Sequence, residues 1–419
     1  MINHKSIEAV KAASWTSGSH FCRPLYESYC FSKIPGTLLR LLGKDSDALP
    51  QDCWVEGKYD SVVLFLIDGF GWHFLEKNYA KYPFLSRFFR QGIVSKLTSQ
   101  FPSTTAAHIT TLCSGVEVGQ TGVYEWFFYE PQLNRVIAPL LYSYAGDKKC
   151  GSLKEVIAPD KILPSETIFQ KLKKEGIPSY IFQPKDISHS TYSNWMFRGG
   201  EVQGYDRFSK CLSTVLPLVE GGGLFYVYFG EIDSNSHYHG MGSKEVEQSM
   251  DKCFTALEEF WKQISQKNLN VACLVTADHG MTSIDPATTF FLNRELPFLE
   301  HVIEKGADKR LLTPAGSCRD YFLHILPEKL QETKALLTQA LKDKAFVCET
   351  SQLIGEGFFG SKGVSDKFLD RVGNLVILPY GNNSIWWYEK GRFDQKFFAM
   401  HGGLTREEME TIFLFSAVK

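Results

Sequence analysis

Three continuous apolar runs, each followed by acidic residues, constrain the fold of this chain more than any other feature. They are Val62–Ile67 followed by Asp68, Leu224–Phe229 followed by Asp233, and Val271–Val275 followed by Asp278 and His279. An apolar run without alternation is typical of a strand that is covered on both faces, as in a parallel sheet. Open α/β sheets bind their ligands at the carboxyl ends of such strands. The runs therefore predict one sheet with a polar site at a single edge.

Helical patterns separate these apolar runs. Ser243 is a good N-cap for a segment whose apolar residues recur every three or four positions up to Ile264. A shorter helical pattern covers residues 166–174 and precedes the apolar Tyr180–Phe182. This alternation predicts a doubly wound α/β/α sandwich with a mostly parallel central sheet.

Changes in sequence character divide the 419 residues into three parts. Residues 1–57 lack strong periodicity, and we interpret them as an N-terminal extension that packs on the core. Residues 58–285 and 367–419 carry the strand-like runs, including 371–378, and form the predicted catalytic core. The intervening segment 286–366 is richer in charge and contains loop-like glycines, which favours an inserted lid. A chain of this length suits a large domain with such an insertion.

Charge and cysteine usage exclude several classes of function. The formal net charge of −2 gives no basic field that would attract a nucleic-acid duplex. No segment approaches 18 uninterrupted apolar residues, and the N-terminus lacks the apolar core of a signal peptide. The ten cysteines form no Cys-x-x-Cys pair, which favours free thiols in a reducing compartment. The sequence predicts a soluble, cytoplasmic protein and leaves its oligomeric state open.

Aspartates and histidines in four separate segments supply ligands for two divalent cations. These residues are Asp68, Asp233, His237, Asp278, His279 and His401. A donor set of oxygen and nitrogen without thiolate favours zinc, with manganese as the alternative. Two cations about 4 Å apart can hold the attacking and leaving oxygens of a phosphoryl transfer. His239, two residues beyond His237, is a rival for the same ligand position.

A hydroxyl nucleophile is predicted in the segment Phe101-Pro102-Ser103-Thr104-Thr105. Pro102 and the hydroxyl cluster are typical of a helix start, which puts Thr105 in the first turn. Free N–H groups and the helix dipole favour an anion there. A threonine hydroxyl becomes a good nucleophile only when a metal or a base activates it, and Thr105 is itself a candidate metal ligand. Thr104 is the alternative nucleophile.

Taken together and in this order, the motifs resemble the alkaline phosphatase superfamily. The closest resemblance is to its type I phosphodiesterase/nucleotide pyrophosphatase branch, over about residues 58–419. The resemblance implies two zinc ions and a threonine that is transiently phosphorylated or nucleotidylated between them. It assigns Asp68, Thr105, Asp278 and His279 to one ion, and Asp233, His237 and His401 to the other. It also implies the fold of that superfamily, with a cap subdomain.

Departures from the family pattern fall on the residues expected to hold the substrate. The family's Asn three residues after the nucleophile is His108 here, and its Asp-Asn pair is Glu125-Trp126. The Gly before the second histidine ligand is Ser236. In these respects the chain is more similar to bacterial and archaeal members that carry Phe-Pro-Ser-Thr-Thr. The metal ligands are all present, so the departures concern the choice of substrate.

Four residues are predicted substrate contacts, each with a structural alternative. His108, one turn from Thr105, could hold a phosphoryl oxygen or act as an acid, or could simply be a hydrogen-bonded residue on the helix face. Trp126 and Tyr129 could stack on the substrate or belong to the core. Arg319, between Gly316 and Tyr321 in the predicted lid, could grip a phosphate or be a solvated charge.

The sequence thus predicts a two-zinc hydrolase that cleaves a phosphodiester or pyrophosphate bond through phospho-threonine. Its expected partner is a small phosphorylated molecule, with nucleotides among the candidates. A phosphomonoesterase on the same two-metal core is the nearest rival, and a metal-dependent phosphomutase is a second one. A non-catalytic protein that keeps zinc for stability is the least favoured reading, because every ligand position is filled.

Overall fold

A computed structural model gives the structure of this protein, and it describes residues 1–16 and 21–418. The strands, in chain order, are β1 Ser61–Ile67, β2 Ile93–Thr98, β3 Phe128–Glu130, β4 Arg135–Ala138, β5 Ser143–Tyr144, β6 Ser179–Pro184, β7 Glu201–Tyr205, β8 Gly223–Phe229, β9 Val271–Thr276, β10 Thr282–Ser283, β11 Phe290–Phe291, β12 Ala315–Gly316, β13 Tyr321–Leu323, β14 Ala345–Glu349, β15 Leu375–Pro379, β16 Ile385–Trp386, β17 Ala399–Met400 and β18 Glu410–Val418.

The α-helices, in chain order, are α1 His4–Ala12, α2 Ile34–Leu41, α3 Trp72–Asn78, α4 Pro83–Gln91, α5 Thr105–Ser114, α6 Val118–Thr121, α7 Pro159–Ile162, α8 Ile168–Lys174, α9 Lys185–Ser188, α10 Thr191–Met196, α11 Phe208–Leu218, α12 Glu231–His239, α13 Lys244–Ile264, α14 Leu292–Glu295, α15 Leu330–Ala340, α16 Thr350–Gly355, α17 Asp366–Arg371 and α18 Arg406–Met409. Short 3₁₀ segments lie at Phe31–Lys33, Gln51–Cys53, Val219–Gly221, Pro286–Thr288, Pro297–His301 and Pro327–Lys329.

The central sheet has seven strands in the order β2-β18-β9-β1-β8-β6-β7. Strand β1 pairs in parallel with both β8 and β9, and β6 continues the parallel pairing on the far side of β8. Only β18 runs antiparallel, between β2 and β9. The prediction of a mostly parallel sheet is therefore confirmed, and the three apolar runs lie side by side in its centre.

Helices cover both faces of this sheet, which explains why its central strands are apolar throughout. Every residue of β1 is buried. The long helix α13 packs on one face together with α4 and α11, and its apolar residues belong to the core on that side. Helices α2, α5, α8 and α10 pack on the other face. The predicted N-cap of α13 is confirmed, since the Ser243 hydroxyl accepts the N–H of Val246 at 3.3 Å.

The segment after residue 286 builds a small sheet beside the central one. Strands β12, β13, β14 and β15 pair in the order β12-β13-β15-β14, and all three pairings are antiparallel. Strand β15 overlaps residues 371–378, which we assigned to the core from the sequence. Its pairing partners, β13 and β14, belong to the small sheet. The small sheet therefore contains strands from both sides of the predicted boundary at residue 366, and β18 is the strand that returns the chain to the central sheet.

The N-terminal segment contributes large side chains to the core. Trp15, Phe21 and Phe31 are buried, and Ile2 forms a bridge to Val94 at the edge of the central sheet. The Trp15 indole donates to Glu356 at 2.5 Å, which joins this segment to the end of helix α16. In the described part of the chain, no helix has the length and apolar character needed to cross a membrane.

Candidate active site

Adjacent strand ends bring the predicted metal ligands to one edge of the central sheet. Asp68 directly follows β1, and Asp278 and His279 follow β9 after one intervening alanine. Helix α12 begins two residues after β8 and carries Asp233 and His237 one turn apart. Because β1 is paired in register with β8 and β9, their carboxyl ends meet. The site is a direct consequence of three neighbouring parallel strands.

The first cluster surrounds the hydroxyl of Thr105. Its Oγ1 lies 3.1 Å from His279 Nε2 and 3.5 Å from Asp68 Oδ1. The same imidazole nitrogen lies 3.5 Å from Asp68 Oδ1 and 3.3 Å from Asp278 Oδ2. These atoms form a compact set of oxygen and nitrogen donors, and the carboxylates and imidazole are fully or almost fully buried.

The second cluster lies against the first. Asp233 Oδ2 is 3.3 Å from His237 Nε2, and Asp233 Oδ1 is 3.7 Å from His401 Nε2. The rings of His279 and His401 are stacked, with centroids 3.6 Å apart. Donor atoms of Asp233, His279 and His401 all lie within 4.8 Å of one another, so His279 borders both clusters. The structure thus brings together all seven residues that the sequence predicted as ligands.

Each histidine in these clusters is oriented by a hydrogen bond between its Nδ1 and a backbone carbonyl. His237 bonds to Ala399 at 2.7 Å, His279 to Gly280 at 2.9 Å, and His401 to Ser103 at 2.9 Å. A carbonyl can only accept, so Nδ1 carries the proton and the Nε2 lone pair faces the cluster. This outer shell is the arrangement that orients metal-ligating histidines.

Unpaired buried oxygens show that the site fits a cation. Asp233 Oδ1 and Asp278 Oδ2 are buried without a hydrogen-bond partner among the described residues. Burial lowers the pKa of His279 to about 4 and that of His401 to about 3, so both rings are neutral. Burial and the nearby Asp278 and Asp233 raise the pKa of Asp68. Concentrated carboxylates with neutral imidazoles form a donor set suited to divalent cations.

Helix α5 begins at the nucleophile candidate. Thr104 is its N-cap residue, with extended backbone, but its side chain makes no cap hydrogen bond. The N–H groups of the first turn are therefore left without the usual side-chain acceptor. Thr105, the first helical residue, lies at this end of the dipole, where an anion is stabilised. Of the two threonines, only Thr105 has its hydroxyl next to the metal-ligand candidates.

A backbone clamp joins the nucleophile loop to the loop that carries His401. The N–H of Ser103 donates to Gly402 O at 3.1 Å, and its hydroxyl donates to Gly403 O at 2.7 Å. Gly402 has φ +123, and a Cβ there would lie 2.5 Å from Ser317 Oγ. Glycine is therefore required at this position, both for its backbone conformation and for the close approach of its neighbours. The clamp fixes His401 relative to Thr105.

His108 has a different environment from the predicted one. It is fully buried, and its Nε2 accepts the backbone N–H of Gln100 at 2.8 Å. Its Nδ1 donates to Thr104 O at 2.7 Å, and its ring packs edge-on against Phe31. Both ring nitrogens are engaged by protein, so neither is left for a phosphoryl oxygen. The residue instead fixes the turn that precedes Thr105.

Arg319 is likewise fully engaged inside the protein. Its guanidinium forms a two-point ion pair with Glu408, with N–O distances of 3.0 and 2.9 Å. It also donates to the carbonyls of Gly381 and Asn383. The side chain is 0% exposed, so it has no donor for a phosphate. A glycine-flanked arginine gives no sequence signal for this role, because its partner lies 89 residues away.

The two aromatic candidates differ in accessibility. Trp126 is 36% exposed, which leaves its ring available to a ligand. Tyr129 donates its hydroxyl to Asn134 at 3.0 Å and packs edge-on against His324. His239, the rival of His237, is exposed on α12, whereas His237 Nε2 lies 3.3 Å from Asp233 Oδ2.

Sequence reasoning missed Tyr228, which contacts the first cluster. It lies one residue before the end of β8, and its hydroxyl donates to Asp68 Oδ2. The backbone carbonyl of Tyr228 in turn accepts the Tyr205 hydroxyl at 2.6 Å. A hydroxyl at the end of a buried strand usually has a partner, and this was the available signal. The bond orients Asp68 through Oδ2, whereas Thr105 lies next to the other carboxylate oxygen, Oδ1.

Comparison with known proteins gives a consistent result. The model of the family described as type I phosphodiesterase/nucleotide pyrophosphatase matches residues 62–404. None of the curated protein sequences matches this chain.

Solved structures share the fold at low sequence identity. Murine ectonucleotide pyrophosphatase/phosphodiesterase 5 is 19% identical with a TM-score of 0.63, over 84% of this chain and 87% of that chain. An inactive threonine-to-alanine variant of the murine protein in complex with AMP has a TM-score of 0.64 at 19% identity, with the same coverage. Phosphonoacetate hydrolase from Sinorhizobium meliloti, in complex with phosphonoacetate, is 17% identical with a TM-score of 0.59, over 84% and 89% of the two chains.

Proposed function

Since this chain belongs to the type I phosphodiesterase/nucleotide pyrophosphatase family of hydrolases, we propose that it cleaves a phosphodiester or pyrophosphate bond with Thr105 as the nucleophile. The observation that carries the proposal is the position of the Thr105 hydroxyl. It lies 3.1 Å from His279 Nε2, the atom that borders both ligand clusters. A hydroxyl at the start of a helix and beside two groups of metal donors is suited to attack a bound phosphorus.

The seven ligand candidates would hold two divalent cations, zinc by preference. Asp68, Asp278 and His279 with Thr105 would bind one, and Asp233, His237 and His401 the other. The ions would supply positive charge for the phosphoryl oxygens and lower the pKa of the threonine hydroxyl. Because the three histidines are held by carbonyls through Nδ1, each presents Nε2 without having to rearrange.

The proposed covalent step uses the position of the Thr105 hydroxyl. The hydroxyl gives up its proton to water and its oxygen forms a bond to phosphorus, while the bond to the leaving oxygen breaks in line. The leaving group departs with the electron pair and takes up a proton. The N–H groups of the first turn of α5, which no side chain caps, would stabilise the negative charge on the phosphoryl oxygens. Water then hydrolyses the phospho-threonine, which restores the hydroxyl and releases the second product.

The charge of the site supports a diester over a monoester. The positive charge of Arg319 is compensated by its ion pair with Glu408. The described contacts of the seven ligand candidates include no lysine or arginine. Positive charge would therefore come from the ions and the helix terminus. A phosphodiester carries one negative charge, whereas a monoester at neutral pH carries nearly two and needs more compensation.

A nucleotide-like substrate is a further part of the proposal. The murine relative binds AMP in its inactive variant, and phosphonoacetate hydrolase binds phosphonoacetate. Trp126 is exposed where the family has an amide, and an accessible ring of this kind could stack on a base. For the compartment, the ten cysteines are free thiols, nine of them buried, which supports our proposal of a cytoplasmic protein.

The test compares Thr105→Ala and Thr105→Ser with the wild-type protein on bis(p-nitrophenyl) phosphate and p-nitrophenyl phosphate. We expect the alanine variant to lose at least about 10³-fold in kcat and the serine variant to retain a measurable rate. Thr111→Val is the matched control, because Thr111 is buried in the same helix and makes only a 3.3 Å bond to Gln100. Full turnover by Thr105→Ala would refute the assignment of the nucleophile.

Metal removal and substrate preference test the rivals. A chelator should abolish turnover and zinc add-back should restore it, whereas a scaffold protein would show no turnover under either condition. Faster turnover of the monoester than of the diester would favour a phosphomonoesterase. Transfer of phosphate within a phosphosugar, without release to water, would favour a mutase.

A further inference from the structure

Two buried carboxyls lie beside the proposed active site and take no part in the steps described above. Glu125 lies in the connection between α6 and β3, and Asp320 lies between β12 and β13. Both are 0% exposed. They meet at the glycine of the His401 loop, where a Cβ on Gly402 would lie 2.6 Å from Asp320 Oδ1 and 3.1 Å from Glu125 Oε1.

One oxygen of each carboxyl has a hydrogen-bond donor and the other has none. Asp320 Oδ1 accepts the hydroxyl of Ser317 at 2.5 Å and its N–H at 3.2 Å. Glu125 Oε2 accepts the N–H of Trp126. Glu125 Oε1 and Asp320 Oδ2 are buried without a donor among the described residues. The two side chains are in hydrogen-bond contact, which two ionised carboxylates could not make without a proton between them.

Among the described residues, no cation compensates these two carboxyls. The neighbouring guanidinium, Arg319, is bound to Glu408, and Glu408 itself adds negative charge near Asp320. Tyr124 and Cys318, two further titratable neighbours, are buried and their pKa values are raised, so both are neutral. Burial raises the pKa of Glu125 to about 8, and burial together with Glu125 raises the pKa of Asp320. Two adjacent buried carboxyls without a cation retain one proton between them.

We propose that Glu125 and Asp320 share one proton, and that this acid pair positions the nucleophile relative to the His401 loop. The inference rests on the proposed function. On one side, Glu125 lies beside the side chain of Thr104, which directly precedes Thr105. On the other side, Asp320 holds Ser317, whose hydroxyl lies 3.2 Å from His401 O. Glu125 and Asp320 are positioning residues, since neither reaches the reacting atoms.

The shared proton explains why a carboxyl occupies the position at which the family has the first residue of an Asp-Asn pair. Loss of the proton would place two negative charges in a buried space where none of the described residues compensates them. The charges would separate, and the clamp between Ser103 and Gly402 would open. A third metal ion between the two carboxyls is the competing explanation. It is less favoured, because the pair offers only two free oxygens and a hard cation takes about six ligands.

The experiment uses the full chain with zinc and compares Glu125→Gln, Glu125→Ala and Asp320→Asn. A glutamine amide supplies a permanent N–H where the shared proton lies, whereas alanine removes the bond. We expect Glu125→Gln and Asp320→Asn to retain bis(p-nitrophenyl) phosphate turnover within about threefold, and Glu125→Ala to lose about 10- to 100-fold in kcat with a smaller change in KM. Above pH 8 the wild type should lose kcat and Glu125→Gln should not.

Three results would overturn the pair. The first is an equal loss of kcat in Glu125→Gln and Glu125→Ala. The second is the same fall of kcat above pH 8 in the wild type and Glu125→Gln. The third is three bound ions per wild-type chain, one of which is lost in Glu125→Gln. The metal content is counted by mass spectrometry. Stability supplies a readout that does not depend on turnover. Between the ordinary pKa of a glutamate and about 8 the folded wild type binds a proton that the unfolded chain does not, so its stability falls as pH rises.

Glu125→Gln lacks this proton and should show a flatter stability profile over the same pH range. If the wild type hydrolyses no phosphodiester but the two unfolding profiles differ as stated, the proposed function fails and the acid pair stands. If turnover is present and the profiles coincide, the acid pair fails and the proposed function stands.

Discussion

Replacement of Arg319 by methionine separates a structural arginine from a substrate-binding one. The guanidinium is 0% exposed and makes two hydrogen bonds to Glu408 and one each to the carbonyls of Gly381 and Asn383. Methionine has a similar length and fills the same space, but it donates to none of these four acceptors. The change therefore removes one partner of a buried ion pair and leaves the other in place.

The expected loss of stability follows from the partners that remain. Removal of one member of a buried ion pair costs about 3–5 kcal/mol. Glu408 keeps three donors after the substitution, namely the N–H of Gly403 at 3.0 Å and the N–H and hydroxyl of Thr405 at 3.4 and 2.6 Å. We therefore expect the lower end, about 3 kcal/mol. With an unfolding entropy of about 2.1 cal/mol/K per residue, this lowers the Tm of a cooperatively unfolding chain of this size by about 3–4 °C.

The assay is thermal and urea unfolding of the metal-loaded protein, with KM for the phosphodiester measured in parallel. Arg310→Met is the matched control, because the Arg310 side chain is 63% exposed and should change stability by less than about 0.5 kcal/mol. The double variant Arg319→Met/Glu408→Gln should recover part of the loss, since it removes the uncompensated charge. An unchanged unfolding midpoint with a raised KM would refute the structural role and indicate that Arg319 contacts the substrate.

Two further substitutions test residues around the nucleophile and the first cluster. Tyr228→Phe removes the hydroxyl that donates to Asp68 Oδ2. It should lower the affinity for one of two zinc ions by about tenfold in a chelator competition and leave the affinity for the other unchanged. Unchanged affinities for both ions would contradict this role. His108→Ala removes the buried hydrogen bonds of both ring nitrogens and should lower the unfolding free energy by about 2–4 kcal/mol, with a larger effect on kcat than on KM. A raised KM at unchanged stability would instead indicate a substrate contact.

The metal-ligand candidates could be found from the sequence because their positions depend on the path of the backbone. Asp68, Asp278 and His279 follow buried strands, and parallel strands end at one edge, so an apolar run and the next polar residue are enough to locate them. His401 required the family pattern, since its loop precedes an antiparallel strand that sequence reasoning did not identify as part of the central sheet.

The substrate contacts could not be found in the same way, because they depend on which partner a long side chain meets. His108 and Arg319 both have residue types and surroundings typical of a phosphate site. Each is instead bonded on every polar atom to groups that only the folded chain brings close, such as Gln100 and Glu408. For a related reason the sequence did not predict the partners of β15: an apolar run predicts burial but not the sheet that provides it, and β15 pairs with β13 and β14.

The balance of charge in the site makes the fold and the proposed cations interdependent. Asp68, Asp233 and Asp278 are collected by three strands at one edge, and burial keeps the rings of His279 and His401 neutral. Three close carboxylates repel one another, and two of their oxygens have no donor among the described residues. The chain tolerates this arrangement because the sheet and the clamp at Ser103 and Gly402 hold it in place. Bound cations would remove the repulsion, so the residues that assemble the site should also couple metal binding to stability.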